Sequence, residues 1–182
     1  MPPSKPERRL LAASLLLLPL VAGAGPRFSV CYDFGCAVRA EIALLDHEWG
    51  AIIAPLQARA ADSDGERARL AEAVARFEQV VGRYTPTSAD RGGSNYRAPE
   101  ESGQMDCIDE STNTTTYLRL LAEAGLLRWH EVDEIAVRQR WLFAFHRSAV
   151  IRELGSGERF VVDSWAHDNG EPPLIQPLRA WD

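Results

Sequence analysis

Apolar positions recur at helical spacing in three stretches of the chain, and the later stretches alternate as strands do. Residues 28–32 read as a short opening strand. Residues 37–59 read as a helix, with Val38, Ile42, Leu45, Trp49, Ile52 and Ile53 near one face and Pro55 set to kink or end it. Ser63-Asp64-Gly65-Glu66 has the form of a capping box, and Leu70, Val74, Phe77 and Val81 carry a second helix to about Val81. These two helices are expected to pack as an antiparallel pair. Residues 83–106 hold Pro86, Gly92, Gly93, Pro99 and Gly103 with little periodicity, and read equally as a functional loop or a plain linker. Residues 107–124 predict a third helix stopped by Gly125. Ser111 to Thr116 are poor helix formers, so that expectation rests on Tyr117, Leu118, Leu121 and the glycine. Residues 132–141, 144–152 and 159–165 predict strands, with Gly155-Ser156-Gly157 turning between the last two. Residues 170–181, with Pro172 and Pro173, predict a rigid tail over the sheet edge. Helices first and strands after predict an α+β fold with an antiparallel sheet.

The first 24 residues stand outside this pattern. Lys5, Arg8 and Arg9 precede an apolar run from Leu10 to Val21, and Ala22-Gly23-Ala24 follows as a small-residue cleavage site. The run is about a dozen residues, short of the roughly 20 that a membrane-spanning helix needs. The expectation is a cleaved signal peptide over 1–24 and a single domain over 25–182. The protein is then periplasmic or secreted, with no membrane association after cleavage, in a compartment where disulfides persist.

Composition adds exclusions. Of 182 residues, 46% are hydrophobic and 25% charged, the ordinary globular balance, which rules out wholesale disorder. The net charge is −6; losing Lys5, Arg8, Arg9 and Glu7 takes 20 basic and 26 acidic residues to 17 and 25, a net −8. A nucleic-acid partner is not expected of such a surface. No phosphate-binding glycine loop or metal constellation is present, so no cofactor and no metal are expected. Asn113-Thr114-Thr115 fits a glycosylation sequon but lies inside the third helix, and reads as accidental.

Three cysteines are an odd number. Cys31 and Cys36 are expected to pair as a disulfide; two free buried thiols or half a metal site are the alternatives. Cys107 is then left over, at the start of the third helix, where N–H groups and the helix dipole favour a thiolate and can bind an oxyanion. Asp106, Asp109 and Glu110 crowd the same helix end and oppose a thiolate, so a reactive Cys107 needs a cationic partner. His47 reads as a surface or packing residue, His130 as structural, and His167 as a loop residue able to line a cleft. His146 lies in a strand and shares a face with Ser148 and Val150. An even-length loop over 154–157 sets Ser148 opposite Asp163 and makes His146 its diagonal neighbour, ~7–8 Å away. Asp163 in an apolar strand needs a partner. The residues thus propose Cys107 as nucleophile, His146 as its proton partner and Asp163 as the carboxylate that orients the imidazole. The backbone N–H of Cys107 and the Gln104 side chain are the candidate oxyanion donors.

The order helix-start Cys, strand His, next-strand Asp resembles the transglutaminase-like superfamily, and looks closest to its bacterial transglutaminase-like cysteine proteinase branch within the papain-like group. The matching pieces are Asp106-Cys107-Ile108-Asp109, His146-Arg147-Ser148-Ala149-Val150 and Phe160-Val161-Val162-Asp163-Ser164-Trp165. Residues 37–81 match no element of the family. The resemblance implies a papain-like α+β fold with the catalytic helix on an antiparallel sheet. It also implies acyl transfer on a protein, peptide or other amide substrate, through Cys107, His146 and Asp163. The expected function is an exported cysteine peptidase, amidase or transglutaminase-type acyltransferase. The alternatives are a non-catalytic envelope binding module on the same fold, and a thiol redox or metal protein using all three cysteines.

Overall fold

The computed structural model describes residues 25–93, 102–140 and 144–181. Strand β1 (Arg27–Tyr32) returns as β2 (Val38–Ala43) in an antiparallel ribbon that pairs Arg27 with Ala43 and Tyr32 with Val38. Helices α1 (Asp46–Gln57) and α2 (Ser63–Val81) follow, then a 3-10 turn at Pro86–Ala89 and helix α3 (Cys107–Glu123). Strands β3 (His130–Arg140), β4 (Ala144–Glu153), β5 (Arg159–Asp163) and β6 (Leu174–Pro177) form an antiparallel sheet in that order. The arrangement is α+β, with α3 packed on this four-stranded sheet.

Two expectations need correction. The helix predicted over 37–59 is a strand followed by a shorter helix. Val38 and Ile42 fit both periods, but the Cys31–Cys36 disulfide closes the preceding turn and folds the chain back along β1. Ala40 and Ile42 then face the core by strand alternation. The second correction is the cap of α2. Asp62 fills that role, its Oδ1 accepting Gly65 N–H at 2.7 Å. Glu66 does not reach back to the cap; it is buried and turned toward β3.

Pro55 lies inside α1 and has no N–H for the Ala51 carbonyl one turn back. Arg76 of α2 donates to that carbonyl instead, at 2.7 Å, while Arg69 donates to Pro55 and Ala58. The later α2 residue meets the earlier α1 residue, so the pair is antiparallel. α2, α3 and β1 meet at three aromatic rings: Phe77 stacks on Tyr117 with centroids 4.5 Å apart, and Phe28 stands edge-on to both at 5.9 Å.

The polar run in α3 forms helix because its hydroxyls have local acceptors. Thr112, Thr115 and Thr116 each bond the carbonyl four residues back, at 2.7–2.9 Å. Asn113 is buried with both amide groups on the Cys31 backbone. One face of the sheet, with Ala149, Ile151 and Val162, joins the main core with α3. On the other face Ala136, Val150 and Val161 pack with Trp181, which the chain reaches through β6 and a 3-10 turn at Leu178–Ala180. Residues 1–24, where a signal peptide is expected, and Trp141 lie outside the described residues, among which no helix is long and apolar enough to cross a membrane.

Candidate active site

Cys107 is the first residue of α3, and its N-terminal neighbour Asp106 caps the helix. Asp106 Oδ1 accepts Ile108 and Asp109 N–H at 2.9 and 3.0 Å, and Asp109 Oδ2 accepts Asp106 N–H at 3.2 Å. This reciprocal box between two aspartates fixes the turn that carries the thiol. The acids crowding this end do not all carry charge against it. Burial raises Asp109 to about 6, the Asp106 charge adding to it and N–H groups of Asp106, Cys36 and Phe34 working against it. Glu110 is raised well above the carboxylate range, by burial first and then by Glu78, Asp90, Asp109 and Asp163. Behind it, burial lifts Glu78 to about 8 and Asp90 to about 7. A buried acid cluster with much of its charge suppressed thus underlies the start of α3.

The register of β4 with β5 pairs Ala149 with Val162, which continues to Ser148 opposite Asp163, as the even-loop argument requires. His146, one diagonal away, places Nε2 2.7 Å from Asp163 Oδ2. Register pairs with β5 end at Ala149, while β4 runs on to Ala144. Beside that stretch, which pairs with β3 but not with β5, Cys107 Sγ stands 3.9 Å from the Phe145 carbonyl oxygen. With Nε2 on Asp163, Nδ1 is the ring nitrogen left for the Cys107 thiol, which meets the same strand at the neighbouring Phe145 carbonyl. Burial pulls the imidazole down, but its hydrogen bonds to Asp163 and Cys107 and their charges outweigh it and raise His146 to about 9. The three residues singled out from sequence therefore converge, with an imidazolium between a carboxylate and a partly buried free thiol.

Two tryptophans complete the site and were not assigned to it from sequence. Trp165 lies 4.5 Å from the His146 ring and Trp181 5.1 Å. Trp181 Nε1 also donates to Asp163 Oδ2 at 2.9 Å, sharing that oxygen with the imidazole. The guanidinium of Arg138, the cross-strand partner of His146, covers the Trp181 ring at 4.4 Å. For Trp165 a signal existed, since the same register carried two residues further sets it opposite His146. For Trp181 local sequence held none, because β6 and the 3-10 turn return it from the chain end.

Gln104 is buried, and its side chain bridges a different segment. Nε2 donates to the Ala89 carbonyl at 2.7 Å, and Oε1 accepts Arg91 N–H at 3.3 Å. Cys31 and Cys36 are joined as a disulfide, with Cα atoms 4.6 Å apart. Their sulfurs and an Asp109 oxygen lie within 4.8 Å of one another, a spacing a metal can use. Sulfurs in a disulfide are not thiolates, so this set holds no metal while the bond is intact. Comparison with protein-family models, with curated proteins and with solved structures finds no match to this chain.

Proposed function

We propose that the protein is an exported, cysteine-dependent acyl-transfer enzyme acting on amide bonds, on a papain-like fold of the transglutaminase-like kind. The observation that carries this reading is His146 held between Asp163 at 2.7 Å and the free thiol of Cys107 at a helix start. The Cys31–Cys36 disulfide supports export, since such bonds persist outside the cytoplasm.

Cys107, as the thiolate paired with the His146 imidazolium, attacks the amide carbonyl carbon, and the carbonyl π pair moves onto oxygen. The developing oxyanion meets the Cys107 N–H at the first helical position. His146 delivers the Nδ1 proton to the leaving amine as the C–N bond breaks, leaving a thioester. Water or a second amine then attacks the thioester, giving up its proton to His146 as the C–S bond breaks, and the Cys107 thiolate is released beside the imidazolium. Asp163 holds Nε2 and steadies the imidazolium through both steps. The test is iodoacetamide labelling of the folded protein, read by peptide mass spectrometry. Cys107 should label faster than free cysteine at neutral pH and slow about tenfold in His146→Ala. Labelling at the free-cysteine rate in both proteins excludes the enzyme.

One observation favours a second reading, a non-catalytic envelope binding module on the same fold. Gln104, expected to donate to the oxyanion, is engaged with Ala89 and Arg91. Under that reading Cys107→Ser leaves partner capture intact and Cys107 labels no faster than free cysteine.

A further inference from the structure

The turn between β1 and β2 has an uncommon backbone. Asp33, Phe34, Gly35 and Cys36 all have positive φ, at 65°, 63°, 64° and 59°. Four left-handed residues in succession are disfavoured for L-amino acids, and three of these carry a Cβ. The Cys31–Cys36 disulfide closes the turn across this segment.

That conformation aims successive N–H groups at the start of α3. Gly35 N–H donates to Asp106 Oδ2 at 3.0 Å and Cys36 N–H to Asp109 Oδ1 at 2.6 Å. These are the second oxygens of the two carboxylates that cap the helix. Ahead of Cys107, Asp33 N–H donates to the Gln104 carbonyl at 2.9 Å, and Asp33 Oδ1 accepts Gly103 N–H at 2.7 Å. Beyond it, the Asn113 side chain takes both the N–H and the carbonyl of Cys31, at 2.7 and 2.8 Å. The turn therefore grips residues 103–113 on both sides of the thiol. Its N–H groups also offset carboxylate charge that would disfavour a thiolate at Cys107.

We infer that the disulfide-locked turn 31–36 is the positioning element of Cys107, so that the reactivity of this thiol depends on the redox state of the Cys31–Cys36 pair. The inference rests on Cys107 being the nucleophile. The switch needs a dithiol reductant. One thiolate of the reductant attacks the sulfur of Cys36, the more exposed partner, and Cys31 leaves as a thiol after taking a proton. The second thiolate then displaces Cys36. The reductant ends as a disulfide, and its two electrons, with two protons, rest on Cys31 and Cys36 as thiols. Without the cross-link the left-handed residues return to ordinary backbone regions, and Gly35 and Cys36 lose their aim on Asp106 and Asp109.

Peptide-resolved iodoacetamide labelling across a pH series tests this on the oxidised protein, on the Cys31→Ser/Cys36→Ser double variant and on Asp33→Ala, which keeps the disulfide. Circular dichroism establishes that each is folded. Cys107 labelling at neutral pH should fall about tenfold in the double variant, with its pH profile displaced to higher pH, and about threefold in Asp33→Ala. Reduced wild-type protein should behave as the double variant and recover on reoxidation. A folded variant that labels at Cys107 with the rate and pH profile of the oxidised protein overturns the inference; if the double variant fails to fold, Asp33→Ala alone decides it. Should the oxidised protein itself label no faster than free cysteine, the nucleophile assignment falls first and takes this inference with it.

Discussion

Two buried histidines in this molecule bond a carboxylate, and only one of them lies near a free thiol. His130 sets Nδ1 2.9 Å from Glu66 Oε1, and its Nε2 is taken by Arg67 Nη1 at 3.0 Å. Arg67 is an obligate donor, so Nε2 accepts and Nδ1 carries the proton. Glu66 also accepts the N–H groups of Arg128 and Trp129. Burial works against its charge, but these bonds outweigh it and hold Glu66 below the usual carboxylate range. Every polar atom of that ring is spent on holding β3 to α2. His146 has the same carboxylate bond on one nitrogen and the Cys107 thiol near the other. A histidine–carboxylate pair is therefore no sign of function by itself; the second nitrogen decides.

The contrast breaks most visibly at His130. His130→Ala removes two hydrogen bonds to charged groups from a buried site and should destabilise the fold by about 3–5 kcal/mol in chemical denaturation. Cys107 labelling in the folded fraction should stay at the wild-type rate. His146→Ala should reverse the pattern, with a smaller stability loss and slowed labelling. The pairs also differ in pH response. Glu66 lies below its ordinary value, so its contribution is present above about 4.5 and is lost toward acid. His146 is raised from 6.5 to about 9, so its contribution is whole below about 6.5 and is lost as pH rises through about 9.

A smaller effect sharpens the comparison at Trp181. Trp181→Phe keeps a ring in the second core and removes the indole donor from Asp163. Stability should drop by about 1.5–3 kcal/mol, as for a hydrogen bond to a charged group. Asp163, relieved of that donor, binds the imidazolium more tightly, so the His146 titration midpoint should rise. A fall in both quantities would mean that Trp181 only packs.

Much of this was legible because strand parity is a strong rule. Placing Asp163 on the face of His146 needed only an even loop, and the observed register has it. The leftover thiol followed from pairing Cys31 with Cys36, and the third helix from Tyr117, Leu118, Leu121 and the stop at Gly125. What stayed hidden depended on contacts between distant stretches. Residues 38–43 fit both helix and strand, and only the disulfide turn chose between them. The left-handed run at 33–36 has no sequence mark beyond Gly35. Gln104 lies beside Cys107 in sequence but bonds Ala89 and Arg91, which spacing does not reveal.

The coupling of thiol and imidazole is tested most directly by an NMR titration of the His146 ring nitrogens in wild-type protein and in Cys107→Ala. The ring should stay doubly protonated until about pH 9 in the wild type, and its midpoint should drop when the sulfur is removed. A wild-type midpoint at the ordinary value of 6.5, unmoved by the substitution, would contradict the account.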